Sequence, residues 1–144
     1  MDQQTLADTF ALEAHVGFLL RKAHQRHAAI FLDAAAEHGL TPMQFAALSK
    51  TVETGRTTQN LLGRLVAMDP ATIQGVVRRL IARGLLTRTH DPMDRRTVVL
   101  APTEAGLALH AQAVIAARKA HDCALSTLAP DEQDQLLSLL RKMA

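Results

Sequence analysis

Between Arg78 and Arg96 the chain carries six arginines, at positions 78, 79, 83, 88, 95 and 96, against two aspartates, Asp91 and Asp94. Six positive charges less two negative ones leave +4 in this stretch, while the whole chain has a formal net charge of +2. Guanidinium groups gathered in one place suit a polyanion, because each can donate charge-assisted hydrogen bonds to phosphate oxygens. A solvated helix face is basic too, so charge alone does not decide. The order of the surrounding elements does.

Thr58 to Met68 has a short helical period with Leu61, Leu62 and Leu65 turned inward, and Asp69-Pro70 opens a second helix that runs to Gly84. Ile73, Val76, Val77, Leu80 and Ile81 form the inner side of that helix, which leaves Thr72, Gln74, Gly75, Arg78 and Arg79 outside. Two β-prone runs follow, Leu85 to Arg88 and Thr97 to Leu100, around the charged turn Thr89 to Arg96. Helix, turn, helix, hairpin is the plan of a winged helix-turn-helix, whose second helix enters a major groove while the hairpin lies on the neighbouring backbone or minor groove. On this plan Thr58, Thr72, Gln74, Gly75, Arg78, Arg79, Arg95 and Arg96 are the candidate contacts to double-stranded DNA. Gly75 costs about 1 kcal/mol against Ala in mid-helix, and the sequence leaves open whether DNA or a neighbouring helix comes close there.

Long helices must hold this device. Residues 1 to 10 read as a lead-in, and Leu12 to His38 as one helix with Leu20, His24, His27 and Phe31 on a single stripe. Val16, Leu19, Ala23 and Ile30 widen its apolar side beyond what a small core can cover, so part of it is expected to be a dimer surface. Gly39 stops this helix, and Thr41-Pro42-Met43-Gln44 starts the next with a capping box that continues through Phe45, Leu48 and Val52 to Gly55. After the hairpin, Pro102-Thr103-Glu104 begins a helix to about Ser126 whose buried stripe reads as Leu107, His110, Val114, Ala117, His121 and Leu125. A last helix follows Pro130 with Leu136, Leu137 and Leu140 inward and Ala129 as a weak cap. The expected fold is mainly α with a small β-hairpin wing. An N-terminal dimerisation helix (1–38), a winged helix-turn-helix core (39–102) and C-terminal dimerisation helices (103–144) divide the chain.

The 144 residues, 48% of them hydrophobic, suffice for one core. Four Phe with no Tyr or Trp argue against single-strand and RNA surfaces that stack bases on aromatic rings. A single cysteine, Cys123, permits no intrachain disulfide and suits the cytoplasm. The N-terminus has no signal-peptide order, and no apolar run nears the roughly 18 residues of a membrane span. Ser49, Ser126 and Ser138 lack a Gly-rich elbow and no phosphate-cradling loop is present, so neither an enzyme nor a cofactor is expected.

Three further groups of side chains could carry a function. Phe18, Arg21, His24 and His27 from the first helix, with Met43 and Phe45 from the next, offer apolar walls and a few cationic groups suited to a small aromatic acid. The histidines at 24, 27, 110 and 121 read as packed contacts, with zinc sensing as the alternative; they lack the spacing of a compact ligand set, so no metal ligand is assigned. Cys123, beside Asp122, reads as a buried or inert thiol, with a redox switch as the alternative.

From Phe18 onward the chain resembles the MarR family of bacterial transcriptional regulators. The likeness rests on Asp91-Pro92-Met93-Asp94-Arg95-Arg96, on Val98-Val99-Leu100, and on Thr103-Glu104-Ala105-Gly106. Leu40-Thr41-Pro42-Met43-Gln44-Phe45 and Arg83-Gly84-Leu85-Leu86 add to it. Met93 stands at a wing place that is often basic, and Pro102 at one that is usually Leu. The resemblance implies a homodimer that binds a pseudopalindromic operator as a repressor and is released by a small aromatic carboxylate. It also implies that Asp94 and Arg96 brace the wing through an ion pair while Arg95 reaches the minor groove. The alternatives are a metal- or redox-sensing regulator of the same fold, and a winged-helix protein-interaction module that binds no DNA.

Overall fold

The computed structural model describes residues 1–144, the side chain of Asp8 excepted. In chain order the elements are α1 (Gln3–Asp8), a 3-10 turn (Leu12–Ala14), α2 (Val16–Ala34), α3 (Pro42–Thr54), α4 (Gln59–Leu65), α5 (Pro70–Ala82), β1 (Leu86–His90), β2 (Val98–Pro102), α6 (Glu104–Leu125) and α7 (Pro130–Met143).

Four helices start where a side-chain oxygen accepts a first-turn N–H. The Thr41 hydroxyl takes the Gln44 N–H at 3.1 Å and the Gln44 amide oxygen takes the Thr41 N–H at 3.2 Å, a complete capping box for α3. Thr58 does the same for α4 through the Leu61 N–H, Asp69 for α5 through the Thr72 N–H at 2.8 Å, and Thr103 for α6 through the Gly106 N–H. Helix α7 has only the returning half of a box, in which the Glu132 carboxylate accepts the Ala129 N–H.

Several expectations are corrected. The lead-in contains the short helix α1, and the long first helix is interrupted at His15, which gives α2 no side-chain cap. Helix α2 ends at Ala34, and turns carry the chain to Gly39, whose φ of +62° suits a residue without Cβ. The strands start later than expected because Leu85 belongs to the helix exit: Gly84 turns at φ +72°, and the Leu85 N–H closes back on the Leu80 carbonyl at 2.9 Å. Of the three α4 leucines only Leu62 is buried, whereas Leu61 and Leu65 are exposed. In α6 the buried positions are Gly106, Ala113, Ala116 and Ala120, not the larger residues beside them. Leu107 and His121 are exposed. Small residues win this face because close neighbours lie on it: Ala116 and Ala120 pack on Phe31 and Ala35 of α2, Ala113 joins the main core, and Gly106 lies against the Leu85 backbone.

The hairpin pairs antiparallel, with Leu86 opposite Pro102 and His90 opposite Val98. Thr57 adds an isolated bridge to Leu100, with both N–H···O bonds made at 3.0 and 2.7 Å, so the wing is tied to the entry of α4. Beneath lies the main core, with Leu40, Leu48, Leu62, Ile73, Val77, Leu80, Leu86 and Leu100 nearly inaccessible. Gly63 lets α4 and α5 approach, since a Cβ there would sit 3.1 Å from Ile73 and 3.2 Å from the Met68 carbonyl. Phe45 joins this core to the α2–α6 cluster, its ring 5.4 Å from Phe31 and 5.9 Å from His110. Helix α7 buries no residue. Among the described residues, no helix is long and apolar enough to cross a membrane.

Candidate functional site

Burying Ile73, Val76, Val77 and Leu80 turns Gln74, Arg78 and Arg79 outward on α5. Gln74 converges with Gln59 of α4 and with Arg88 and Val98 of the hairpin on a shallow hollow of about 290 Å³. The outer face of α5 and the flank of the wing therefore form one continuous surface. Gln59 and Arg88 were absent from the sequence-based set. Arg88 donates to the Gln59 side chain at 3.2 Å, which links the strand to the first turn of α4. The signal for Gln59 was its place immediately after the Thr58 cap, where a first-turn side chain stands at the helix mouth.

The arginines divide into two groups. Arg83 is spent inside the chain, donating to the His38 carbonyl at 2.7 Å and the Gly39 carbonyl at 3.1 Å, and Arg88 is spent on Gln59. Among the described residues Arg78, Arg79, Arg95 and Arg96 have no ion-pair or side-chain hydrogen-bond partner, and all four are exposed. Thr58 is half-buried with its hydroxyl engaged in capping. The Thr72 hydroxyl donates to Asp69 at 2.8 Å, and the Thr72 N–H holds the Asp69 carboxyl below the usual carboxylate range. Gly75 is half-buried on the same outer side.

The wing is braced differently from the expected ion pair. Asp94 Oδ1 accepts the Arg96 backbone N–H at 3.1 Å, and Oδ2 accepts the Thr97 hydroxyl at 3.2 Å; the Arg96 guanidinium is not its partner. A short carboxylate can close a turn on its own backbone two residues on, which leaves both neighbouring guanidinium groups outside. Asp91 locks the other end: its N–H meets the Thr97 carbonyl at 2.8 Å, and its carboxylate accepts the Met93 N–H and lies 4.0 Å from Arg56.

Two cavities are lined by residues of the terminal helices, and one of them also reaches the winged core. One, of about 350 Å³, is walled by Ala28, Pro42, Met43 and Val76 and carries His24 and Arg79 as well as the capping pair Thr41 and Gln44. It brings together His24 and Met43 of the sequence-based ligand set, and adds Arg79 from α5. The other, of about 360 Å³, lies between α2, α6 and α7, with Arg26, His27 and His121 against Leu136, Leu137 and Leu140. Phe18 and Arg21 line neither, and Phe45 is a packed spacer between Phe31 and His110. Burial, and then the nearby His24 and His121, pull the His27 pKa below its ordinary value. Burial does the same for His110, whose Nε2 lies 3.1 Å from the Ser49 hydroxyl. Among the described residues no three His, Cys, Asp or Glu side chains form a group able to hold a metal ion. Cys123 is exposed, against the expectation of a buried thiol.

Comparison with known proteins agrees with this geometry. A family profile described as MarR family matches residues 38–97. The chain is 43% identical over 128 residues to the HTH-type transcriptional repressor NicR of Pseudomonas putida, covering 89% of this chain and 81% of that protein. A probable transcriptional regulator from Pseudomonas aeruginosa superposes with a TM-score of 0.89 at 46% identity, over 93% of this chain and all of that one. Bordetella bronchiseptica BpsR, whose DNA binding is regulated by 6-hydroxynicotinic acid, superposes with a TM-score of 0.87 at 38% identity, over 93% of this chain and 96% of that one.

Proposed function

The chain belongs to the MarR family of transcriptional regulators, and from that premise we propose that it is a cytoplasmic repressor that holds a pseudopalindromic operator as a homodimer and lets go when a small aromatic carboxylate binds. One observation carries the DNA half of this reading. The outer face of α5 and the wing share a surface, and the four arginines of the Arg78–Arg96 stretch that have no side-chain partner stand on those two elements. Gln74 and Arg78 are placed to meet base edges or phosphates in a major groove, and Arg95 to enter the adjoining minor groove, where the potential is most negative. Two copies related by a twofold axis would present their α5 helices about 34 Å apart. The surface for the second copy is offered by apolar side chains that one chain leaves uncovered, among them Leu12, Val16 and Leu19 near the N-terminus and Leu139 and Met143 near the C-terminus.

The effector half rests on the cavity between α2, α3 and α5. A ligand can shift an equilibrium only by binding one arrangement better than another, so an effector must touch the part that reads DNA and the part that sets its position. This cavity does so; the one against α7 touches only the terminal helices. Its size suits one aromatic ring. The regulation of BpsR by 6-hydroxynicotinic acid supports a hydroxylated aromatic or heteroaromatic acid as the occupant here.

The test is fluorescence anisotropy with duplexes tiled across the region upstream of the chain's own gene. A saturable complex is expected whose affinity falls linearly with salt on logarithmic axes and which dissociates on adding 6-hydroxynicotinic acid. Arg95→Ala should reduce the salt slope by about one contact while the dimer persists. No salt-sensitive specific complex on any duplex would favour a protein-interaction module instead.

A further inference from the structure

We infer that Arg79 serves two anions in turn: a DNA phosphate in the operator complex and the effector carboxylate in the released state. Release then comes from taking a side chain away from DNA as well as from moving the heads. The inference rests on the proposed effector reading and says which residue couples the cavity to the operator.

The argument is one of elimination. Of the cavity's lining, Ala28, Pro42, Met43 and Val76 offer apolar wall. Thr41 and Gln44 are polar, but each satisfies the other's backbone N–H in the capping box of α3. Breaking that box to hold a ligand would leave first-turn donors bare and weaken the start of α3. Two polar side chains remain, His24 from α2 and Arg79 from α5. An arginine fork matches a carboxylate with two parallel hydrogen bonds, whereas a single imidazole cannot. Arg79 therefore takes the carboxylate, and His24, across the cavity on α2, is left for the ring substituent.

Arg79 is also one of the four partnerless arginines on the basic surface. It sits one turn after Gly75, and its guanidinium lies 3.6 Å from the point a Cβ on Gly75 would occupy. The group is thus folded along the outer side of α5, toward the part of the helix offered to DNA. A guanidinium that is half of a bidentate carboxylate pair cannot at the same time cradle a phosphate. By linkage, operator binding must weaken the acid by the factor with which the acid weakens the operator. Arg78, one residue earlier, does not line this cavity and is assigned to DNA alone.

Four proteins separate the possibilities: the wild-type chain, Arg79→Ala, Arg79→Lys and Arg78→Ala. Calorimetry with 6-hydroxynicotinic acid on the DNA-free protein gives acid affinity, and anisotropy gives operator affinity and its salt slope. For Arg79→Ala, acid binding should weaken roughly tenfold or more, the salt slope should fall by about one contact, and residual operator binding should resist the acid. Arg79→Lys, which keeps a point charge without the fork, should retain the salt slope while losing much of the acid affinity. Arg78→Ala should lose operator affinity with acid affinity unchanged within about twofold. An Arg79→Ala protein that binds the acid as the wild type does, or that loses the acid with its salt slope intact, overturns the shared role while leaving the effector reading in place. A wild-type chain that binds neither 6-hydroxynicotinic acid nor benzoate overturns both.

Discussion

Helices α5 and α7 are close in length, 13 and 14 residues, both begin with a proline, and both carry an apolar stripe at helical spacing. Their surroundings differ completely. Helix α5 buries Ile73, Val76, Val77 and Leu80 against α3 and α4, and its polar side becomes the surface proposed for DNA. Helix α7 buries nothing; Leu136, Leu139 and Met143 are exposed, and Gln133 holds it to the end of α6 through the Leu125 and Leu128 carbonyls. An amphipathic stripe states that a face needs covering and is silent about what covers it. The winged core is complete within one chain, while the terminal helices carry a surface sized for something more.

The largest effect that tests this contrast is a pair of leucine substitutions. Leu80 is fully buried, and Leu80→Ala should cost about 2–5 kcal/mol in urea denaturation, the usual range for a cavity in a core. Leu139 is 57% exposed in the single chain, and Leu139→Asp should convert dimer to monomer in sedimentation experiments without unfolding the winged core. A Leu139→Asp protein that stays dimeric would break the comparison, because α7 would then be surface and nothing else.

Next in size is Gly106, where the two regions touch. A Cβ there would run into the Leu85 backbone carbonyl, which already accepts the Thr103 N–H. Backbone cannot swing aside as a side-chain tip can, so Gly106→Ala should destabilise by about 1–3 kcal/mol as an overpacked site. Thermal unfolding close to that of the wild type would mean the joint between the hairpin and α6 is looser than these contacts imply.

The same joint explains what could and could not be read from sequence. Caps are local: Thr41, Thr58, Asp69 and Thr103 each meet a donor three residues on, so helix starts were legible from types and spacing alone. The buried stripe of α6 was missed because Gly106, Ala113, Ala116 and Ala120 look indifferent in a hydrophobic pattern, and only tertiary neighbours make them the inner face: the Leu85 backbone for Gly106, the main core for Ala113, and α2 for Ala116 and Ala120. The wing turn was legible, but not that Asp94 would hold backbone in place of a guanidinium. Arg79 was placed by its charge on the DNA side; that the cavity also reaches it depends on how α2 and α3 stand against α5, which no local pattern encodes.

A smaller, titratable effect should mark the joint as well. His27 and His110, on the two long terminal helices, both have pKa values pulled below the ordinary 6.5, chiefly by burial. Between 6.5 and the lowered folded value the unfolded chain binds more protons than the folded one. Stability should therefore fall as pH falls through that window and level off below it. Replacing His110 with Asn, which keeps a polar group near Ser49, should remove its share of the pH dependence. An unchanged profile would assign the whole slope to His27.

The smallest expected change bears most directly on why α5 is built as it is. Glycine in mid-helix weakens it by about 0.5–1 kcal/mol relative to Ala, and a Cβ on Gly75 would meet only the mobile end of Arg79, at ordinary contact distance. Gly75→Ala should therefore stabilise the free protein by about 0.5–1 kcal/mol, read as a small rise in the urea midpoint. No contact within the chain demands the glycine, and the position leaves the outer face of α5 open where DNA is proposed to dock. If the added methyl group weakens operator binding while raising stability, the position is kept open for the DNA backbone, and the contrast with α7 sharpens: one helix gives up stability to admit its partner, the other waits for a partner to supply it. If operator affinity is unchanged, the close approach lies elsewhere along α5, and Gln74 and Arg78 become the positions to shorten next.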